Sequence, residues 1–289
     1  MKKVLIIAHF TQAPGEPGNN RFNYLADILC DKGFEVEIVS TSFSHKKKAQ
    51  REISQDALQS CKYKYTVVSE PGYPRNVCLT RFYSHYVFGK NLKKYLSGIE
   101  KPDLVYVAVP SNDAGVVAAE YCKKNNISML VDVQDLWPEA FKLVFNIPVV
   151  SDIVFAPMTY QANKVYAQAD KIVAVSKTYA QRGLRNCKKD SEGTVVFLGT
   201  ELESFDKAAQ SFEIPKDEDE LWVAYVGTLG HSYNIEIVID AFKLLPDELK
   251  GRVTFKVLGD GPLMERFQEH ARKSGVKVDF LGRREYGEM

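Results

Sequence analysis

Short apolar runs alternate with glycine-bearing corners and amphipathic segments, and this alternation restricts the chain more than any other feature. It is clearest over residues 221–262. An apolar run, Trp222-Val223-Ala224-Tyr225-Val226, breaks at Gly227-Thr228-Leu229-Gly230. Ile235, Val238, Ile239, Phe242 and Leu245 then recur at helical spacing. A second apolar run over 253–258 ends in Gly259-Asp260-Gly261-Pro262. Strand, glycine corner, helix, strand and second corner make the βαβ unit of a parallel sheet. Ligands of such sheets lie beyond the carboxyl ends of the strands, where both corners fall. Glycine lets backbone approach a ligand closely, and the free N–H groups of the helix start after Gly230 suit an anion. The same pattern fits two ordinary strand-to-helix turns without a ligand.

The cadence begins at the amino terminus. Residues 4–8 read as a buried strand ending at His9. A loop holding Pro14, Gly15, Pro17, Gly18, Asn19 and Asn20 leads into a helix over 21–30, with Phe22, Leu25, Ala26 and Leu29 on one face and Gly33 as its stop. Residues 34–39 alternate as a second strand. The loop lacks G-x-G-x-x-G, which speaks against a dinucleotide site. Residues 44–52 are basic and polar, either solvated surface or a patch on anionic lipid heads through Lys46, Lys47 and Lys48, aided by Lys62, Lys64 and the nearby tyrosines.

A helix over 81–96 carries Phe82, Tyr83, Tyr86, Phe88 and Tyr95. The strand 103–109 runs into Pro110-Ser111-Asn112-Asp113, where Asn112 or Asp113 caps the next helix. The strand 128–133 runs into Gln134-Asp135-Leu136-Trp137-Pro138-Glu139. A polar pair followed by Trp-Pro at a strand's carboxyl end concentrates chemistry there. It also fits a helix start with Pro138 first and Glu139 near the positive end. A helix over 153–169, a strand over 171–175, a helix over 177–184 capped by Ser176, and a strand over 194–197 follow. By this count the first unit has six or seven strands. Residues 204–220, charged and without period, read as a link. In the last stretch a helix over 262–273 and a strand over 276–281 complete three strands and two helices, which leave apolar faces uncovered.

A length of 289 residues suggests about two domains at ~150 residues each. The net charge of +1 gives no global field for nucleic acid. Cys30, Cys61, Cys78, Cys122 and Cys187 are scattered and form no C-x-x-C pair, which points to a reducing, cytoplasmic setting and away from zinc or disulfides. The first apolar run is too short for a signal peptide, and no run approaches the ~20 residues of a membrane span.

Several stretches, in this order, resemble the retaining family 4 of the GT-B glycosyltransferases, in particular bacterial enzymes of capsule and lipopolysaccharide assembly. They are the glycine loop from Gly15 to Arg21, the segment Asp135-Leu136-Trp137-Pro138-Glu139, the strand Ala169-Asp170-Lys171-Ile172-Val173-Ala174-Val175-Ser176, the turns at Gly227 and Gly259, and Phe280-Leu281-Gly282-Arg283. The resemblance implies an α/β, GT-B-like chain of two Rossmann-like, doubly wound domains: an acceptor-side domain over 1–203, a link over 204–220, and a partial nucleotide-sugar-binding domain over 221–289. It implies a UDP- or GDP-linked sugar as donor substrate, no further cofactor, no metal, and a saccharide or lipid-linked acceptor at the inner membrane face.

On that resemblance Gly227, Thr228, Leu229, Gly230, His231, Gly259, Asp260, Gly261, Pro262, Gly282 and Arg283 hold the donor. Gly15, Gly18, Asn19, Asn20, Ser111 and Asn112 approach the acceptor, and Asp135 or Gln134 sits by the reacting hydroxyl. The chain departs from the pattern in three ways. Thr228 and Tyr233 stand where many members have arginine and lysine. Gln134 stands where many have histidine. The family's glutamate pair falls downstream of Met289. A binding module or inactive fragment is therefore a second expectation. A sugar-nucleotide epimerase using Asp135, Glu139, His9 and His231 is a third.

Overall fold

The structure is a computed structural model that describes residues 1–16, 21–76, 78–145, 147–199, 202–210, 215–231 and 233–284, with Leu143, Val144 and Ser204 described by backbone alone. The chain divides into two compact units, Met1–Leu198 and Gly199–Met289.

The first unit opens with β1 (Lys3–Ile7), α1 (Arg21–Asp31) and β2 (Glu35–Thr41). A small hairpin, β3 (Phe43–Ser44) and β4 (Ala49–Gln50), and a short helix, α2 (Gln55–Gln59), precede β5 (Lys64–Val68) and α3 (Leu79–Leu96). Then come β6 (Leu104–Val109), α4 (Asn112–Asn125), β7 (Ser128–Val133), α5 (Glu139–Val144), α6 (Val150–Gln168), β8 (Lys171–Ala174), α7 (Lys177–Leu184) and β9 (Thr194–Val195). Seven strands form one parallel sheet in the order β5-β2-β1-β6-β7-β8-β9.

Why the strands read as unbroken apolar runs follows from their two buried faces. Along β1, Val4 and Ile6 join Phe22, Ala26, Val36 and Ile38 on one side. Leu5 and Ile7 join Phe88, Leu92, Val105 and Val107 on the other. Helices thus cover both faces, as in a doubly wound sheet. Gly115 lets α4 close on α6, because a Cβ there would stand 2.9 Å from a methyl of Val165.

Three local features differ from expectation. β5 is a strand that the sequence pattern does not announce; Lys64 and Tyr65, expected on a polar surface, belong to its backbone. Helix α4 takes Ser111 as its N-cap residue rather than Asn112 or Asp113, and no side chain caps it, because the Ser111 hydroxyl is engaged elsewhere. Pro138 occupies the N-cap of α5 rather than its first turn, after a cis peptide bond from Trp137. Ser176 caps α7 as expected, its Oγ accepting from the Tyr179 amide at 3.3 Å.

The second unit begins with α8 (Leu202–Ala209), a helix where a link without period was expected. It continues through β10 (Leu221–Val226), α9 (Ile235–Lys243), α10 (Asp247–Lys250), β11 (Val253–Leu258), α11 (Met264–Ser274) and β12 (Val278–Gly282). The three strands are parallel in the order β10-β11-β12. Leu229, Ile235, Ile239, Phe255, Val257, Phe267 and Ala271 make its core. Among the described residues β10 is an edge strand, with Leu221, Val223 and Val226 exposed.

Burial separates Ile38, fully enclosed in the first core, from Tyr24, which is 60% exposed on α1. Ile38→Ala should lower stability by about 2–5 kcal/mol in urea denaturation. Tyr24→Ala should stay within about 0.5 kcal/mol.

Candidate functional site

In the first unit the chain runs from β1 outward to β2 and β5, then returns to β6 on the other side of β1. β1 and β6 therefore flank a topological switch point, where loops diverge and open a crevice at the carboxyl edge. His9 follows β1 and Ser111 follows β6, and the two meet there. His9 Nδ1 lies 2.6 Å from Ser111 Oγ, and Nε2 lies 2.8 Å from Glu70 Oε1, beyond β5. The imidazole stacks between Phe10 (centroids 4.6 Å apart, planes at 11°) and Phe88 (4.0 Å, 7°). All three polar residues are buried.

Glu70 also accepts from the hydroxyls of Thr41 and Ser84. Burial alone would push this carboxyl up. The hydrogen bond and charge of His9, with the two hydroxyls, outweigh it and hold Glu70 below the ordinary carboxylate range. An ionised Glu70 takes the Nε2 proton of His9 as a hydrogen bond. The serine–histidine–glutamate order matches a nucleophile relay, yet the Ser111 hydroxyl has no exposed surface. Its present work is to tie β6 to β1.

A second polar group lies further along the same edge. Asp132, fully buried at the end of β7, accepts from Arg21 Nε at 2.9 Å and Nη2 at 3.3 Å, from Tyr106 Oη at 3.0 Å, and from Gln134 Nε2 at 3.4 Å. Gln134 thus points into this cluster. Asp135 turns back on its own chain, Oδ1 accepting from the Leu136 amide at 2.8 Å. Asn112 donates from Nδ2 to the Met158 carbonyl at 3.2 Å. Gly15 sits in a turn with φ +81°. The Glu16 carboxylate steadies that turn, accepting from the Ala13 amide and from Arg51, each at 2.9 Å. Gly18, Asn19 and Asn20 lie outside the described residues.

A third group surrounds Trp137. Its ring stacks on His85 (5.7 Å, 8°), and the Arg81 guanidinium sits 4.6 Å from it. Arg81 also faces Phe10, Tyr73 and Phe141. Burial, with the charges of His9, Arg81 and His45, pushes the His85 imidazole down, so it remains neutral. His45 is pushed down to about 4 by burial and by Lys48 and Arg81.

In the second unit the two glycine corners are bonded to each other. The Gly227 amide donates to the Leu258 carbonyl (3.0 Å), Leu229 to Asp260 (3.0 Å), and Leu263 to Leu229 (3.1 Å). Gly259 donates to the Gly282 carbonyl at 2.8 Å, and Gly230 to Thr228 at 3.0 Å. The amides of Gly227, Leu229 and Gly230 are therefore engaged within the corners themselves. Helix α9 starts only at Ile235, capped by Asn234 Oδ1 on the Ile237 amide at 3.2 Å. Leu229 is a core side chain. Asp260 Oδ1 accepts from the Gly261 amide at 2.7 Å. His231 and Arg283 are exposed, and Thr228, Pro262 and Gly282 lie in the same corners. Among the described residues no group of three or more His, Cys, Asp or Glu is placed to hold a metal ion.

Sequence reasoning missed Arg21, Glu70 and the full extent of His9. Two parallel sheets, each with its polar or glycine-rich loops at the carboxyl edge, define the fold of the GT-B glycosyltransferases. Solved structures agree: the UDP complex of Anabaena HepE superposes with a TM-score of 0.59 at 16% identity, over 99% of this chain and 70% of that one. WaaG, a glycosyltransferase involved in lipopolysaccharide biosynthesis, gives 0.56 at 13% identity, over 97% and 70%.

Residues 206–289 match the family described as Glycosyl transferases group 1. An uncharacterised glycosyltransferase of Methanocaldococcus jannaschii is 28% identical over 124 residues, 40% of this chain and 32% of that relative. An α-1,4-N-acetyl-D-galactosaminyltransferase of Campylobacter jejuni, named for an undecaprenyl-linked acceptor, is 35% identical over 66 residues, 23% and 18% of the two chains. The matched stretches thus span about a third and a fifth of those relatives' lengths.

Two measurements test the geometry. A carboxyl whose pKa is depressed by folding stabilises above its unfolded value and loses that contribution as pH falls. The stability advantage of the native chain over Glu70→Gln should be complete above pH 4.5, the ordinary value for this carboxyl, and shrink as pH falls through the depressed value. Urea midpoints of both proteins across pH read this. Gly259 has φ +147°, and a Cβ there would stand 1.8 Å from the Gly227 carbonyl oxygen. Gly259→Ala should cost the second unit at least about 2 kcal/mol in thermal unfolding.

Proposed function

We propose that this chain transfers a sugar, with retention, from a UDP- or GDP-linked donor to a saccharide or lipid-linked acceptor, in capsular polysaccharide or lipopolysaccharide assembly on the cytoplasmic side of the membrane. The observation that carries this reading is the match of residues 206–289 to Glycosyl transferases group 1, the stretch that holds the paired glycine corners. Complexes of Anabaena HepE with UDP and with UDP-glucose support it, as does the lipid-linked acceptor in the name of the Campylobacter relative. No helix of the described residues is long and apolar enough to cross a membrane.

The reaction needs stabilisation of a departing diphosphate and an oxocarbenium-like centre. In this reading the cross-linked corners are a rigid platform rather than a set of free amides. Arg283, exposed beyond β12, supplies charge to the diphosphate through charge-assisted bonds of about 1.5–3 kcal/mol each, and His231, exposed beyond β10, supplies a hydrogen bond. Gly259 and Gly261 let the two corners close on each other, since side chains there would strike backbone, and the nucleoside lies against the closed corners. On the first unit, Gly15 and Asn112 flank the acceptor, and Ser111 supports that edge from beneath. Gln134 and Asp135 hold the acceptor hydroxyl, and a diphosphate oxygen takes its proton. Asp132 is spoken for by Arg21 and orients Gln134. The scheme uses the nucleotide-sugar donor and the acceptor, with no further cofactor.

Isothermal titration of the whole chain with UDP and with GDP tests it. One of the two should bind, and Arg283→Ala should weaken that binding about tenfold, the equivalent of one charge-assisted contact. Absence of heat with both nucleotides at millimolar concentration would overturn the reading.

A further inference from the structure

Helices α3, α4 and α6 lie side by side on one face of the first sheet, where Phe88, Leu92, Ala114, Ala118, Ala162 and Val165 share a core. Gly89 brings α3 close to α4, since a Cβ there would stand 3.2 Å from the Asp113 Cβ, and Gly115 brings α4 close to α6. Each helix leads back to the start of a parallel strand, so all three carboxyl ends fall at the amino edge of the sheet, opposite the polar clusters. Lys90, Lys93 and Lys94 stand on the last turns of α3, Lys123 and Lys124 on the last turn of α4, and Lys164 on α6; all six are exposed. Lysine in a last turn suits any helix, because that end carries partial negative charge. That accounts for each pair singly and not for three ends gathered round one acid.

Glu120 is the single acid of residues 88–96, 118–126 and 161–168. It stands between the neighbouring helices: Lys164 Nζ donates to Oε1 at 2.7 Å, and Lys93 Nζ lies 4.0 Å from Oε2. The three ends therefore form one surface. The Lys164 hydrogen bond holds Glu120 below the ordinary carboxylate range, so this acid stays ionised and engaged. Acids at the rim are engaged as well: Glu100 by Lys3, and Asp170 by the Met129 amide and Lys189, each at 2.7 Å. Among the described residues Lys90, Lys94, Lys123 and Lys124 have no ion-pair partner. Positive charge thus gathers on one face of a chain whose net charge is +1. The chemistry of the face narrows its partner. It exposes no large apolar side chain to enter a bilayer and no ring on which a base could stack. It has lysine and no arginine, hence none of the planar forks that suit phosphate. Mobile point charges on long stems match a row of carboxylates, and such complementarity sets which partner docks and how fast.

We propose that the lysine face formed by the ends of α3, α4 and α6 docks an acidic segment of a partner protein, a run of aspartate and glutamate side chains laid across the three helix ends. The face lies at the opposite edge of the sheet from the polar clusters, so an occupant leaves the carboxyl edge open. The proposal stands apart from the transferase reading and needs neither nucleotide nor acceptor.

Fluorescence anisotropy of a labelled decaglutamate peptide with the whole chain tests it. The peptide should bind at low ionic strength and weaken steeply from about 0.01 M to about 0.1 M salt, over which the screening length falls from ~30 to ~10 Å. Lys93→Gln with Lys94→Gln, and Lys123→Gln with Lys124→Gln, should each weaken binding roughly fivefold, the weight of two exposed ion pairs. Circular dichroism and melting temperature should not change, because all four side chains are exposed. Lys46→Gln with Lys47→Gln removes the same charge from exposed positions after β2, at the carboxyl edge, and should leave binding as it was. Absence of binding at low ionic strength, or equal loss from the Lys46 and Lys47 pair, would overturn the proposal. Tighter binding of decathymidylate or of phosphatidylglycerol vesicles, lost with the same α3 and α4 lysines, would overturn it in favour of nucleic acid or a bilayer. Self-association lost with those lysines, in a chain that ignores the peptide, would assign the face to a second copy instead.

Discussion

The first unit depends on how the crevice between β1 and β6 is closed. A parallel sheet whose strand order reverses leaves two loop systems diverging from neighbouring strands, with nothing in the backbone ladder to hold them together. Here His9 does so, bonded to Ser111 across the switch point and to Glu70 beyond β5. A buried carboxylate is costly unless its oxygens are satisfied. Glu70 meets that condition with three side-chain donors drawn from β1's loop, β2 and α3. The polar group is thereby rigid, and what lies on it inherits that rigidity. Asp132 serves likewise at β7, where Arg21, Tyr106 and Gln134 converge on it.

The second unit meets the same geometric problem with backbone rather than side chains. Its corners carry glycine because the chain crosses itself closely: a Cβ at Gly261 would stand 2.3 Å from the Leu229 carbonyl oxygen. That contact, the amide pairs between the corners, and Leu229 in the core fix the loops before any ligand arrives. Pre-positioned loops spend less ordering entropy on binding. Glycine at these positions is thus accounted for by packing of corner on corner.

The strand cadence was readable because parallel strands buried on both faces are apolar throughout, and helices covering them keep a 3.6-residue period. Residues 128–133 and 177–184 fell where periodicity and the Ser176 cap put them. β5 escaped because Lys64-Tyr65-Thr66 is polar at an edge position, and its burial rises only toward Val68. Glu70 escaped for a different reason. Its partners lie 61, 29 and 14 residues away, and before Pro71-Gly72 it looks like any turn acid. Ser111 was read as belonging to a helix-capping stretch, but a hydroxyl satisfies one partner well, and His9 holds it. Local pattern thus specifies elements, while the polar groups that join them are set by topology, which a window of ten residues does not contain.

One consequence of that topology is a line of rings from the switch point to the surface. His9 meets His85 edge-on at 4.8 Å, His85 stacks on Trp137, Trp137 meets Phe141 at 4.9 Å, and Phe141 stacks with Phe155. Because His85 stays neutral, with Nε2 buried and without a partner, it acts in this line as an aromatic plate rather than a charge. Arg81 fills the gap beside Trp137 and supplies the cation instead. Offset and edge-on ring pairs resist sliding because their contacts are specific in angle. Helices α3, α5 and α6 are therefore packed, ring against ring, onto the same side chains that close the sheet.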